Sequence, residues 1–145
     1  MNVLLPIILT LLAGIGVAAQ APTNAMLAKV SGSTLLASLV SFSVGTAAIA
    51  IVWAASDRVS PTTLRAAPSW AWLGGIYGAI YVATAAYAAP RLGVATMLMV
   101  AIGGQLVAAV VIDHFGLFGL RAEPVSASRI AGLVLVFAGV LLVRR

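Results

Sequence analysis

The chain has no cysteine and few charged side chains, and these absences exclude several kinds of chemistry. Without cysteine it can form no disulfide, use no catalytic thiol and build no cysteine-ligated metal site. Of its 145 residues, only three are Asp or Glu and only one is His. None of these four lies inside a long apolar segment, so no convincing nucleophile, base or metal set is present. We therefore predict no enzymatic activity, no metal and no cofactor.

The charge that is present is mostly positive, but its distribution does not favour nucleic-acid binding. Eight Lys or Arg give a formal net charge of +5. They occur singly or in pairs between apolar segments and form neither a cluster nor a stripe. This pattern indicates contact with lipid headgroups, and we predict the bilayer as a partner and no nucleic acid.

Long apolar segments make up most of the chain, which is 63% hydrophobic with a mean hydropathy of +1.17. The clearest segment lies between Arg91 and Asp113, where 21 residues carry no charge and Gln105 is the only strongly polar side chain. As a helix these residues extend about 30 Å, the thickness of the hydrocarbon core of a bilayer. The segment therefore predicts a membrane-spanning helix with Gln105 near mid-bilayer, where its amide needs partners inside the protein.

The same reasoning predicts an all-α integral membrane protein with a single transmembrane domain, residues 1–145. Its five spans are predicted at about 3–27, 34–55, 70–89, 92–113 and 127–143. A cleaved signal peptide is the less favoured alternative for the first span, which lacks a positively charged start. The fifth span is short, and Arg129, Arg144 and Arg145 can extend it by snorkelling. Gly132 and Gly139, two helical turns apart, predict close packing in a dimer.

Five spans distribute the basic residues evenly between the two sides of the membrane. Four fall on each side, namely Arg58, Arg65, Arg121 and Arg129 against Lys29, Arg91, Arg144 and Arg145. Because this asymmetry normally sets orientation, the tie predicts insertion in both orientations. Two opposite copies can then pair as an antiparallel homodimer, a ten-helix inverted repeat. A single, weakly biased orientation is the alternative.

Seven short motifs occur in order along the chain. They are Pro22-x-Asn24, Gly32-Ser33, Ser41-Phe42-x-x-Gly45, Trp72-Leu-Gly-Gly-x-Tyr-Gly-Ala79, Ala89-Pro-Arg-Leu-Gly93, Gly104-Gln-Leu106 and Ile112-Asp-His-Phe-Gly116. With them the chain resembles the YdcZ-like inner-membrane proteins of the drug/metabolite transporter (DMT) superfamily. The resemblance implies five-helix subunits in a bacterial inner membrane, often as dual-topology or oppositely oriented pairs, and it implies transport.

A set of polar and aromatic side chains is predicted to line a neutral substrate-binding cavity: Gln105, Tyr77, Tyr81, Ser38, Ser41, Gln20 and Asn24. Such a lining suits a neutral, amphipathic or cationic small molecule, since a cation can lie over the tyrosine rings. The alternative is that the serines bond back to their own helix and Gln105 bonds a neighbouring helix.

Asp113 and His114 end the fourth span and are the candidates for a proton relay, because histidine changes charge near neutral pH. As sequence neighbours they point in different directions, which argues against a shared metal. Headgroup contact or loop capping is the favoured alternative.

The sequence thus predicts a secondary transporter, facilitator or exporter of a small solute, working by alternating access in a dual-topology dimer. The alternative is a structural or accessory membrane protein, in which the same polar residues only hold helices together.

Overall fold

The computed structural model describes residues 3–56 and 59–143, and this part of the chain is helical, without a β-strand. Its five α-helices are α1 (Leu4–Ser31), α2 (Thr34–Ser56), α3 (Gly74–Leu92), α4 (Val94–Phe115) and α5 (Ala127–Val143). By length and composition α1, α2 and α4 can cross a membrane, whereas α5 is a shorter apolar helix. The all-helical membrane architecture is confirmed, with three helices of spanning length. Arg58, Arg144 and Arg145, which enter the charge count, lie outside the described residues.

The chain divides into two compact units, Met1–Arg91 with α1 to α3 and Leu92–Arg145 with α4 and α5. In the first unit α1 and α2 pack on each other as a hairpin. The turn between them is Gly32, whose φ of 72° is a left-handed conformation that glycine adopts without steric cost. Ser33 then begins α2 by accepting a hydrogen bond from the N–H of Leu36 at 3.2 Å.

The helix α1 runs through Pro22 and reaches Ser31, beyond the predicted end at residue 27. Proline has no N–H, so the carbonyl of Ala18, four residues earlier, loses its usual helical partner. Beside this gap the hydroxyl of Thr23 donates to the carbonyls of Ala19 at 3.2 Å and Gln20 at 2.9 Å.

Two short 3₁₀ turns, Pro61–Ala66 and Ser69–Leu73, connect α2 to α3. The second occupies the start of the predicted 70–89 span, so the α-helix begins only at Gly74. Trp70 and Trp72 are exposed on this turn, as suits amphipathic rings at a membrane interface.

At its other end α3 continues through Pro90 to Leu92. The guanidinium of Arg91 lies 3.6 Å from the centre of the Tyr87 ring and donates to the Tyr87 carbonyl at 2.5 Å. The chain turns at Gly93, with a φ of 79°.

In the second unit α4 packs against α5. Gly103 of α4 is buried, and a Cβ added there would lie 3.4 Å from the ring of Phe137 in α5. A small residue at this position therefore allows the two helices to approach each other. Gly116 ends α4 with a φ of 59°, and Ser126 starts α5 by accepting the N–H of Arg129 at 3.3 Å.

Candidate functional site

Burial separates the polar side chains of α1 and α2 into two sets. Asn24 on α1 is only 3% exposed, and Gln20, one turn earlier on the same face, is half-buried. On α2, Ser38 is buried and Ser41 is half-buried, whereas Ser43 is exposed. The four residues that α1 and α2 contribute to the predicted cavity are therefore buried or half-buried. They belong to two helices that pack on each other.

Hydrogen bonding divides the serines of α2 further. The hydroxyl of Ser38 donates to the carbonyl of Thr34 at 2.8 Å, and that of Ser43 donates to the carbonyl of Leu39 at 2.9 Å. These two serines bond back to their own helix, as the alternative interpretation expects. Ser41 forms no side-chain hydrogen bond with any residue that the structure describes.

The amides of Gln20 and Asn24 also lack a hydrogen-bond partner within residues 3–56 and 59–143. No fully enclosed side-chain nitrogen or oxygen in the described chain is without a partner. The Asn24 amide must therefore reach open space through its small exposed fraction. An amide left unpaired in an apolar environment costs about 1–3 kcal/mol. The Asn24 amide therefore favours a partner from outside the described part of the chain.

The two tyrosines lie near the N-terminus of α3. Because the helix begins at Gly74, Tyr77 falls in its first turn and is 57% exposed, while Tyr81 is half-buried. Gly78 contacts α2, since a Cβ added there would lie 3.4 Å from the ring of Phe42. Tyr81 shares the face of Gly78, and Phe42 directly follows Ser41 in sequence. In the first unit, α2 therefore contacts α3 at Phe42 and Gly78. Ser41 is one residue before Phe42, and Tyr81 is three residues after Gly78.

Gln105 belongs to the second unit and occupies the middle of α4. It lies 11 residues after Val94 and 10 before Phe115, the ends of the helix. Its side chain is exposed and makes no hydrogen bond within the described part of the chain. A polar amide in the middle of a spanning helix is costly unless a partner satisfies it.

The candidates Asp113 and His114 contact different groups at the end of α4. The carboxylate of Asp113 pairs with the guanidinium of Arg129 at 3.3 Å, and Arg129 also pairs with Glu123 at 2.6 Å. His114 accepts the N–H of Val125 at its Nδ1, with a distance of 3.2 Å.

Arg129, Glu123 and Val125 were not among the residues predicted for the site. The sequence signal available for Arg129 was an isolated arginine at the start of a short apolar segment, which fits snorkelling equally well. The backbone N–H of Val125 carries no sequence signal at all.

A groove of about 390 Å³ lies between α4 and α5, next to this ion-pair cluster. Its lining is apolar except at the cluster and comprises Leu106, Ala109, Val110, Asp113, Arg129, Gly132, Leu133 and Val136. A Cβ added at Gly132 or Gly139 meets no atom within 4 Å, so both glycines leave open space on α5.

Comparison with known protein families gives a match over nearly the whole chain. The model of the family described as "Putative inner membrane exporter, YdcZ" matches residues 5–142, and the match therefore extends from the first turn of α1 to the last turn of α5. Neither a curated protein nor a solved structure matches the chain.

Proposed function

Since the chain belongs to the YdcZ inner-membrane exporter family, we propose that it carries a small solute across that membrane through a path lined by its unpaired polar side chains. Membership of the family, which the seven motifs predicted, is confirmed, and so is the inner-membrane location. Transport by this chain, the solute and the assembly are the proposal.

The observation that carries the proposal is the set of polar side chains without partners. Asn24, Ser41 and Gln105 all lie in the three helices of membrane-spanning length, and none has a hydrogen bond among the described residues. In lipid such groups are expensive unless water, a solute or another copy satisfies them. A solute path supplies water and solute to these groups at different depths, whereas simple helix packing calls for permanent partners.

The proposed working unit is an antiparallel homodimer in which each chain crosses the membrane five times. In this arrangement α3 and α5, which are shorter than the spanning helices, also cross the bilayer, with snorkelling side chains at their ends. A two-fold axis in the membrane plane keeps residues at mid-depth, such as Gln105, at mid-depth in both copies. The two copies then alternate access to one central cavity.

The side chains of the proposed path favour a neutral, amphipathic or cationic solute. Amides and hydroxyls both donate and accept hydrogen bonds, and the rings of Tyr77 and Tyr81 offer faces to a cation. An anion would meet only dipoles and donors, because between Arg91 and Asp113 the sequence contains no charge.

Solute flux into liposomes tests this proposal. Purified protein is reconstituted, and uptake of chloramphenicol (neutral), ethidium (cationic) and carboxyfluorescein (anionic) is compared with that of protein-free liposomes. We expect flux of a neutral or cationic probe and none of the anion. Gln105→Leu keeps approximate volume but removes hydrogen bonding, so it should abolish the flux while the dimer still assembles. Tyr81→Phe should reduce flux less, because the ring remains.

Two outcomes contradict the proposal. Absence of flux for every probe favours the accessory membrane protein, and unchanged flux in Gln105→Leu assigns that residue to packing.

A further inference from the structure

The connection between α4 and α5 is held against the C-terminus of α4 by two hydrogen bonds. The N–H of Glu123 donates to the carbonyl of Asp113 at 2.7 Å. The N–H of Val125 donates to Nδ1 of His114 at 3.2 Å. We call these two bonds the clasp. Together they fold residues 117–126 back toward the end of α4.

The second bond of the clasp exists only while the imidazole is neutral. A ring nitrogen accepts a hydrogen bond through its lone pair, and in the imidazolium form both nitrogens carry protons and only donate. The backbone N–H of Val125 is also a donor. A proton on Nδ1 therefore removes this bond and makes two N–H groups face each other. The side chain of His114 is exposed and lies in the last turn of α4.

Charged residues occur on each element near His114 in sequence. Asp113 precedes it on α4, Arg121 and Glu123 lie on the connection, and Arg129 lies in the first turn of α5. Arg129 already pairs with both carboxylates, at 3.3 and 2.6 Å. Both carboxylates are therefore already paired, and no acid among the described residues is free to replace the bond that a protonated His114 loses.

We infer that His114 is a proton-binding site that holds Val125 through the second bond of the clasp when neutral and releases Val125 when protonated. This release frees the residues around Val125, just before α5, while Glu123 and Arg129 still contact Asp113. The consequence for transport rests on the proposed export function: solute flux then depends on the pH of the compartment that contains the connection.

The chain contains a single histidine, so its imidazole signals are unambiguous in nuclear magnetic resonance spectra. The full-length protein, purified without a histidine tag, is placed in lipid nanodiscs at about pH 8 and at about pH 5.5. At the higher pH we expect an unprotonated Nδ1 and a protonated Nε2. The protection factor of the Val125 amide against hydrogen exchange should fall at least about tenfold at the lower pH.

Two variants assign this pH response. His114→Asn places an amide oxygen near the position of Nδ1 but cannot be protonated, and His114→Phe removes the acceptor. The ratio of protection at the two pH values should approach one in both variants. An Nδ1-protonated tautomer at about pH 8, an unchanged wild-type protection factor, or a wild-type ratio in either variant overturns the inference. Hydrogen exchange is measured without any solute. If the Val125 protection factor responds to pH in a protein that shows no flux, the export proposal is rejected and the inference about His114 stands.

Discussion

Replacing Gly132 or Gly139 by leucine is expected to separate the proposed dimer without unfolding the subunit. Both glycines lie in α5, two helical turns apart on one face. A Cβ added at either meets no atom of this chain within 4 Å, and neither has a positive φ. The subunit therefore has space for a Cβ at both positions, and at Gly132 this space belongs to the groove between α4 and α5. We expect the longer leucine side chains to disturb the partner subunit of the proposed dimer.

The size of the effect follows from the symmetry. Forcing extra methylenes into a well-packed contact costs about 1–3 kcal/mol. A two-fold dimer carries each substitution twice, so the expected loss is about 2–6 kcal/mol. Because each 1.4 kcal/mol changes the dissociation constant tenfold, the dimer Kd should rise at least about 25-fold.

Dimer content is measured by crosslinking and mass photometry in mild detergent over a series of protein concentrations. Gly14→Leu is the matched control, because Gly14 also lies in an apolar helix and its added Cβ also meets no atom within 4 Å. We expect this control to dimerise like the wild type. Intact dimers in both α5 variants would refute the packing role, and equal dissociation of the control would show that the effect is not specific to α5.

Three further predictions follow from the charge count and the glycines. Reporter fusions to the C-terminus should give signals from both sides of the membrane, and two or three added lysines on one side should fix a single orientation; one clean wild-type orientation would contradict the charge argument. Gly103→Leu should lower subunit stability by about 1–3 kcal/mol, because its side chain displaces the Phe137 ring, and an unchanged Tm in detergent would be evidence against this contact. Gly116→Ala should lower Tm more than Gly32→Ala. Both glycines have positive φ, but a Cβ at Gly116 would lie 2.8 Å from the backbone oxygen of Leu120, whereas a Cβ at Gly32 meets no atom within 4 Å. Equal shifts in Tm would contradict this crowding.

The apolar segments of the sequence predict helices because their length leaves few alternatives. The segment predicted at 34–55 corresponds to α2, Thr34–Ser56, and that predicted at 92–113 corresponds to α4, Val94–Phe115. Glycine marks the turns, as Gly32, Gly93 and Gly116 all have positive φ. These features depend on residues close together in sequence, so composition and spacing predict them.

The ends of α1 and α3 were harder to predict, because proline and tryptophan give ambiguous signals. Pro22 removes one hydrogen bond but does not end α1, since the helix on either side remains intact. Trp70 lies in a 3₁₀ turn rather than in the α-helix that follows it. An apolar, aromatic sequence is compatible with either geometry.

The site shows the same division between local and long-range information. The sequence predicted which polar side chains lie in the helices. It did not predict that the hydroxyl of Ser38 is bonded while that of Ser41 has no partner among the described residues. The contact between Asp113 and Arg129 depends on the path of the 11 residues 116–126, which returns α5 to the end of α4. No spacing rule for a single helix predicts such a pair.

Flux through the Ser41→Ala and Ser43→Ala variants is the most direct test that unpaired polar side chains line a solute path. The two serines lie two residues apart on α2 and lose the same hydroxyl, but only Ser43 bonds to its own helix. If solute or its water contacts Ser41, losing one hydrogen bond of about 0.5–1.5 kcal/mol should lower flux at subsaturating solute about 2- to 12-fold. Ser43→Ala should keep wild-type flux. Equal flux in both variants and the wild type, at equal amounts of reconstituted dimer, would contradict the proposed path.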